Sequence, residues 1–198
     1  IGLLKRSLFL GNALVYMYSK CGLLENAQLV CNMIPFKDVI SMTTLISGYA
    51  EHGRGKDALG CFRRMFLEGM FPNLITFICS LKACGSIGAL DIGRDIHSDV
   101  RKNGLAQDLF VCRSLISMYA ECGSLPEAKI VFNSLHFRDS ASWSLMIKYF
   151  GINHMGNMAM QCFEEMLAEG ISPNAITFIC TLKACGSRGA TEKGKVIH

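Results

Sequence analysis

The sequence predicts an all-α fold, an α-solenoid of repeated helix-turn-helix units, and three observations carry that expectation. TFICSLKACGSIGA at residues 76–89 returns as TFICTLKACGSRGA at 177–190, 101 residues later and identical at 12 of 14 positions. This period divides into segments of 31, 35 and 35 residues, after which the series restarts. Every segment carries the same punctuation: an apolar stretch of helical period, a break containing glycine, a second amphipathic stretch and a closing turn. A single helical hairpin cannot bury its apolar face, but stacked hairpins can, and they leave a concave surface.

Taken in order, residues 8–38 (LFLGNALVYMYSKCGLLENAQLVCNMIPFKD) hold two helical stretches separated by KCGLLE. Residues 39–73 run through TTLISGYA, break at EHGRGK, continue as KDALGCFRRM and close on EGMFPN. In that second stretch Ala58, Leu59, Phe62 and Met65 fall at helical spacing. Residues 74–108 break at GSIGAL and close on NGLAQD. Residues 109–139 repeat the 31-residue form with the break ECGSLPE, residues 140–174 close on EGISPN, and residues 175–198 begin the third form again. Pro72 and Pro173 stand just before a boundary, where they stop a helix from continuing. Gly22, Gly53, Gly123 and Gly170 are expected as turn and cap residues. Tyr49, Phe62, Phe150, Phe163, Met65 and Met166 recur at matching positions and are expected to fill seams between helices.

Composition narrows the function classes. Hydrophobic residues make up 51% of the 198, enough to build a core, and no apolar run reaches the length of a membrane-spanning helix. A net charge of +4 permits a nucleic-acid partner without establishing one. Four of the ten cysteines recur one period later, as Cys21 and Cys122, Cys61 and Cys162, Cys79 and Cys180, and Cys84 and Cys185. They are copies of duplicated positions, C-x-x-C is absent, and reduced, packed thiols are expected in place of a disulfide framework or zinc site. No metal or cofactor is expected, and no Walker or G-x-G-x-x-G motif is present. The five histidines are scattered with no paired acid or nucleophile, so an enzyme is the weakest reading. The chain opens at Ile1 and stops within an apparent helix at KVIH, so it is expected to be a segment of a longer protein.

NALVYMYSKCGLLENAQLV (12–30) and SLISMYAECGSLPEAKIVF (114–132) resemble the short repeats of plant pentatricopeptide repeat (PPR) proteins. TTLISGYAEHGRGKDALGCFRRMFLEGMFPN resembles their 35-residue standard repeat, and TFICSLKACGSIGALDIGRDIH their long-type repeat. Short, standard and long forms in order, twice, are similar to the PLS subclass, and the resemblance covers residues 8–198. It implies one right-handed superhelix. In it 1–7 would end a preceding long repeat, 8–38 and 109–139 would be short, 39–73 and 140–174 standard, 74–108 long, and 175–198 a truncated long repeat.

The resemblance further implies that each repeat reads one base of single-stranded RNA through its fifth and last residues, with the second residue wedged against the base. The physics is compatible with this. The second and fifth positions share a helix face, and the last residue lies in the turn beside that face. Short polar side chains there offer donors and acceptors to a base edge, and an apolar second residue offers a packing surface. Asn12 and Asp38 with wedge Phe9 imply uracil, and Thr43 and Asn73 with Ile40 imply adenine. Ile78 with Asp108 implies no strong choice, because Ile78 cannot hydrogen-bond. Arg113 and Asp139 with Phe110 depart from the family pairs; Arg113 has base, phosphate or an acid as alternative partners. Ser144 and Asn174 with the small wedge Ala141 imply adenine again, giving U-A-n-n-A from 5′ to 3′. An alternative reading makes Asn12, Thr43 and Ser144 ordinary exposed polar residues, and the last residues N-caps.

Spacing alone adds Lys82, Lys148 and Lys183, each at the ninth position of its unit, one turn beyond the reading residue, as candidate phosphate contacts. The family resemblance implies a specificity factor for cytidine-to-uridine RNA editing in mitochondrion or chloroplast, with editing-complex proteins as further partners and no membrane. A deaminase would need H-x-E and C-x-x-C, and this chain has neither. The competing expectation is a structural or protein-binding solenoid in an organellar ribonucleoprotein.

Overall fold

The computed structural model describes residues 7–186. Among the described residues all regular structure is helical: α1 (Leu8–Lys20), α2 (Leu24–Met33), α3 (Val39–Glu51), α4 (Gly55–Leu67), α5 (Leu74–Ile87), α6 (Leu90–Lys102), α7 (Leu109–Glu121), α8 (Leu125–Ser134), α9 (Ser140–Ile152), α10 (Gly156–Ala168) and α11 (Ala175–Gly186). They form two compact units, Ile1–Ala106 and Gln107–His198. In each unit an odd-numbered helix packs on its own even-numbered partner and on the next odd-numbered helix. This is helical-repeat solenoid packing. The expected residues 1–6 of a preceding repeat, Cys185 as a side chain and everything after Gly186 lie outside the described residues.

The helix starts follow from local chemistry. Ser7 caps α1, Asp38 α3, Asn73 α5, Asp108 α7 and Asp139 α9, each side chain accepting a hydrogen bond from a backbone N–H of the first turn. The amide of Thr177 donates to Asn174 Oδ1 in the same way at α11. In α3 and α5 the third helical residue returns a bond to the cap backbone, completing a capping box.

The helix lengths explain the two segment lengths. α2 and α8 have 10 residues, whereas α4, α6 and α10 have 13, so the 31-residue segments lose most of a turn from the second helix. Ile34 and Leu135, directly behind the short helices, are buried and close the core there.

Turns within the pairs use left-handed backbone. Gly22, Gly53 and Gly123 have φ of 73°, 73° and 79°, and Gly170 in a closing turn has 73°. The counterpart of Gly53 one period later is His154, which adopts φ 58° despite its side chain.

Tyr49, Phe62, Met65, Phe150, Phe163 and Met166 are all buried, as the matching positions predicted. Trp143 is fully buried and packs edge-on against Phe132 at 4.7 Å, with the Arg138 guanidinium over both rings. Cys31, Cys61, Cys84, Cys112 and Cys162 are buried and Cys79, Cys122 and Cys180 half-buried, while Cys21, in the cap of α1, is exposed. Burial pushes the Cys61 thiol up to about 12 and those of Cys112 and Cys162 to about 11, so these sulfurs are protonated packing groups at neutral pH. Among the described residues no helix is long and apolar enough to cross a membrane.

Candidate nucleic-acid interface

Fifth and last residues of one segment lie 26 to 30 positions apart in sequence, and the structure brings them together in four places. Asn12 Nδ2 donates to both carboxylate oxygens of Asp38 at 3.2 Å. Arg113 Nη1 donates to Asp139 Oδ2 at 3.2 Å. In the other two places a third hydroxyl stands between. Thr43 Oγ1 lies 2.7 Å from Thr76 Oγ1, which lies 2.9 Å from Asn73 Oδ1. Ser144 Oγ lies 2.7 Å from Thr177 Oγ1, which lies 3.0 Å from Asn174 Oδ1. In residues 74–108 no such junction is possible at Ile78, and Asp108 accepts from the amides of Phe110 and Val111.

The alternative of exposed polar residues is corrected for two positions: Thr43 is 7% and Ser144 5% exposed. The cause is stacking. The first helix of the next segment brings Thr76 or Thr177 onto them, so each offers one narrow polar face. The last residues cap the next helix and also join the fifth residue, because a carboxylate or amide oxygen has more than one acceptor site. Asn12 is half-buried, and its Oδ1 is a buried acceptor with no partner.

The wedge positions are arranged oppositely. Phe9 is 85% exposed, Ile40 61% and Phe110 63%. Ala141 is only half-exposed and small. Arg113 is committed within the protein: besides Asp139 it bonds the Leu109 carbonyl, and its guanidinium sits 4.8 Å from the Phe110 ring. The acid among the alternative partners of Arg113 is Asp139.

Lys82, Lys148 and Lys183 are exposed, and Lys148 lies over the Tyr149 ring at 5.0 Å. A depression of about 150 Å³ opens beside Thr43, lined also by Tyr16, Lys20, Ser47, Glu51 and Ile75. Lys20 and Glu51 pair across it at 2.8 Å. Among the described residues no cluster of His, Cys, Asp and Glu is placed to hold a metal.

The residues the sequence reading missed are Ser41, Thr76, Ser142 and Thr177, the third residues of their segments. Each hydroxyl lies within hydrogen-bond distance of the preceding cap side chain. The signal was present as DVIS, NLIT, DSAS and NAIT at successive boundaries, with DLFV as the exception.

A model of the PPR repeat family matches residues 37–86 and 138–187, and a PPR repeat model matches 110–139. The chain belongs to the PPR repeat family. Among PPR proteins of Arabidopsis thaliana it is 38% identical over 190 residues to pentatricopeptide repeat-containing protein At2g33680, covering 96% of this chain and 26% of that protein. It is 41% identical over 188 residues to At1g08070, chloroplastic (94% and 25%), and 37% identical over 186 residues to At1g06140, mitochondrial (94% and 33%). The PPR chain thus spans roughly a quarter to a third of these relatives. The crystal structure of the pentatricopeptide repeat protein PPR10 from maize superposes with a TM-score of 0.75 over 92% of this chain and 27% of that one, at 18% identity, a likeness of fold.

Proposed function

We propose that this PPR chain binds single-stranded RNA in an organelle and reads bases through Asn12 with Asp38, Thr43 with Asn73, and Ser144 with Asn174. Phe9, Ile40 and Ala141 pack against those bases. One observation carries the reading: fifth and last side chains, far apart in sequence, meet at a polar junction, which at Asn12 and Thr43 lies one helical turn from an apolar residue left in solvent. Polar groups at such a junction discriminate base edges, and an exposed apolar side chain beside them supplies a surface for a base plane. The Arg113–Asp139 ion pair and the Ile78 position read weakly, giving U-A-n-n-A.

The division into short, standard and long repeats at 8–38, 39–73, 74–108, 109–139, 140–174 and 175–198 belongs to the same reading. That order supports assignment to the PLS subclass and to a factor that aims cytidine-to-uridine editing performed elsewhere. Relatives named chloroplastic and mitochondrial support an organellar address.

The test is the affinity of the chain for short RNAs carrying UANNA and for the same RNAs with the first, second or fifth base exchanged. Each exchange is expected to weaken binding several-fold, and exchanges at the two middle positions much less. Equal binding of all of them overturns base reading and turns attention to protein partners.

Lys82, Lys148 and Lys183 add the sequence-independent part. Changing all three to Gln is expected to flatten the plot of log affinity against log salt by roughly 2, since each single-strand phosphate contact contributes about 0.7. An unchanged slope removes them from the interface.

A further inference from the structure

We infer that Thr76, the third residue of the following segment, fixes the hydrogen-bond polarity of the reading pair Thr43–Asn73, and so makes the Thr43 hydroxyl an acceptor toward the base. The inference rests on the base-reading proposal above and adds a positioning residue to it.

The proton inventory at Thr76 carries the argument. Its hydroxyl has one proton and two lone pairs. It lies 3.2 Å from the backbone N of Asn73, which can only donate. It lies 2.9 Å from Asn73 Oδ1, which can only accept. The orientation of the Asn73 amide is itself determined, because the backbone N–H of Thr76 donates to that same oxygen at 2.9 Å. The Thr76 proton therefore goes to Asn73, one lone pair takes the Asn73 N–H, and the other is left for Thr43 at 2.7 Å. Thr43 must donate. Thr43 then turns lone pairs toward a base, while Asn73 turns its Nδ2–H donors outward.

A base held in one orientation on Ile40 meets an acceptor at Thr43 and a donor at Asn73. Adenine supplies the complement, with its amino N–H and its ring N1. Guanine in the same place reverses both positions, with a keto oxygen and a ring N–H. The hydroxyl of Thr76 thus favours adenine over guanine without touching either.

The second junction, Ser144 with Asn174 and Thr177, is built the same way with two differences. Asn174 Nδ2 donates to Ser140 Oγ at 3.2 Å, so one of its amide protons stays within the protein. Ser144 Oγ also lies 2.7 Å from the carbonyl oxygen of Ser140. Its proton is engaged in the protein whether it points to Thr177 or to Ser140, so its acceptor role survives loss of the Thr177 hydroxyl. Thr43 has no such second bond.

The experiment is binding of the chain, with thermal melting alongside, to single-stranded RNAs that differ only as A or G opposite residues 39–73 or 140–174. Thr76→Val is expected to cut the adenine-to-guanine preference at the first site about tenfold and Thr76→Ser to retain it. Thr177→Val should change the second site much less. If Thr76→Val no longer melts cooperatively, Thr76→Ala, which keeps the amide cap and adds no atoms, is scored in its place. A folded hydroxyl-less variant with the wild-type preference overturns the inference. So does an equal loss at both sites in the two valine variants. A wild-type chain with no adenine preference overturns the base-reading proposal itself.

Discussion

Gly55→Val is expected to destabilise the chain by about 3 kcal/mol, while Gly60→Ala, five residues further along the same helix, is expected to stabilise it by about 0.5–1 kcal/mol. The two glycines differ in what surrounds them. A Cβ at Gly55 would lie 2.7 Å from Ile87 Cγ2, 2.8 Å from Ser86 Oγ and 2.9 Å from the backbone oxygen of Ala83. Side-chain atoms can turn away; the carbonyl of α5 cannot, so α4 must lift off the helix it stacks on. Gly156 repeats the arrangement, with the backbone oxygen of Ala184 at 2.8 Å, and Gly156→Val should be as damaging. Around Gly60 nothing lies within 4 Å, so alanine there only removes backbone freedom from the unfolded chain. Thermal melts of the three variants check this. A harmless Gly55→Val would mean that the start of the second helix is not seated on the next repeat.

Asp139→Ala is expected to cost about 2–3 kcal/mol, against about 1 kcal/mol for Asp108→Ala. Both cap a first helix. Asp139 additionally accepts from the Ser142 hydroxyl at 2.7 Å and from Arg113 at 3.2 Å, and its removal leaves a half-buried guanidinium without its acid. Burial opposes the charge on Asp139, but the bonds from Ser142 and the Arg113 charge outweigh it and hold the carboxyl below its ordinary value. A depressed folded pKa gives stability that is fully present above the unfolded value, about 3.9, and lost as pH falls through the folded one. The stability gap between wild type and Asp139→Asn should therefore be flat from about pH 5 to 8 and shrink below about pH 4. A gap unchanged by acid would contradict the pairing.

The helix pairing was legible because its determinants are local. An Asp or Asn directly before Val39, Leu74, Leu109 and Ser140 marks the start of α3, α5, α7 and α9, and the loss of most of a turn from α2 and α8 is written in the 31-residue spacing. The buried aromatic and methionine seams were legible from their recurrence. The burial of Thr43 and Ser144 was not, because the groups that cover them lie 33 residues later and arrive only through stacking. Arg113 was ambiguous for the same reason, its partner Asp139 being 26 residues away. His154 escaped because the turn rule looks for glycine, although Gly53 stands one period earlier with the same backbone. The hydroxyls of Thr76 and Thr177 were readable as capping-box residues; their contact with the reading residue was not.

Thr43 and Asn73 are proposed to choose the base opposite residues 39–73. The most direct measurement is the binding of wild type and of the double variant Thr43→Asn, Asn73→Asp to RNAs differing only at that base. The variant reproduces the Asn12–Asp38 pair. Preference is expected to move from adenine to uracil, with discrimination of about 1–3 kcal/mol in each case. A variant that keeps the adenine preference, or a wild type and variant that both bind the two RNAs equally, would contradict it.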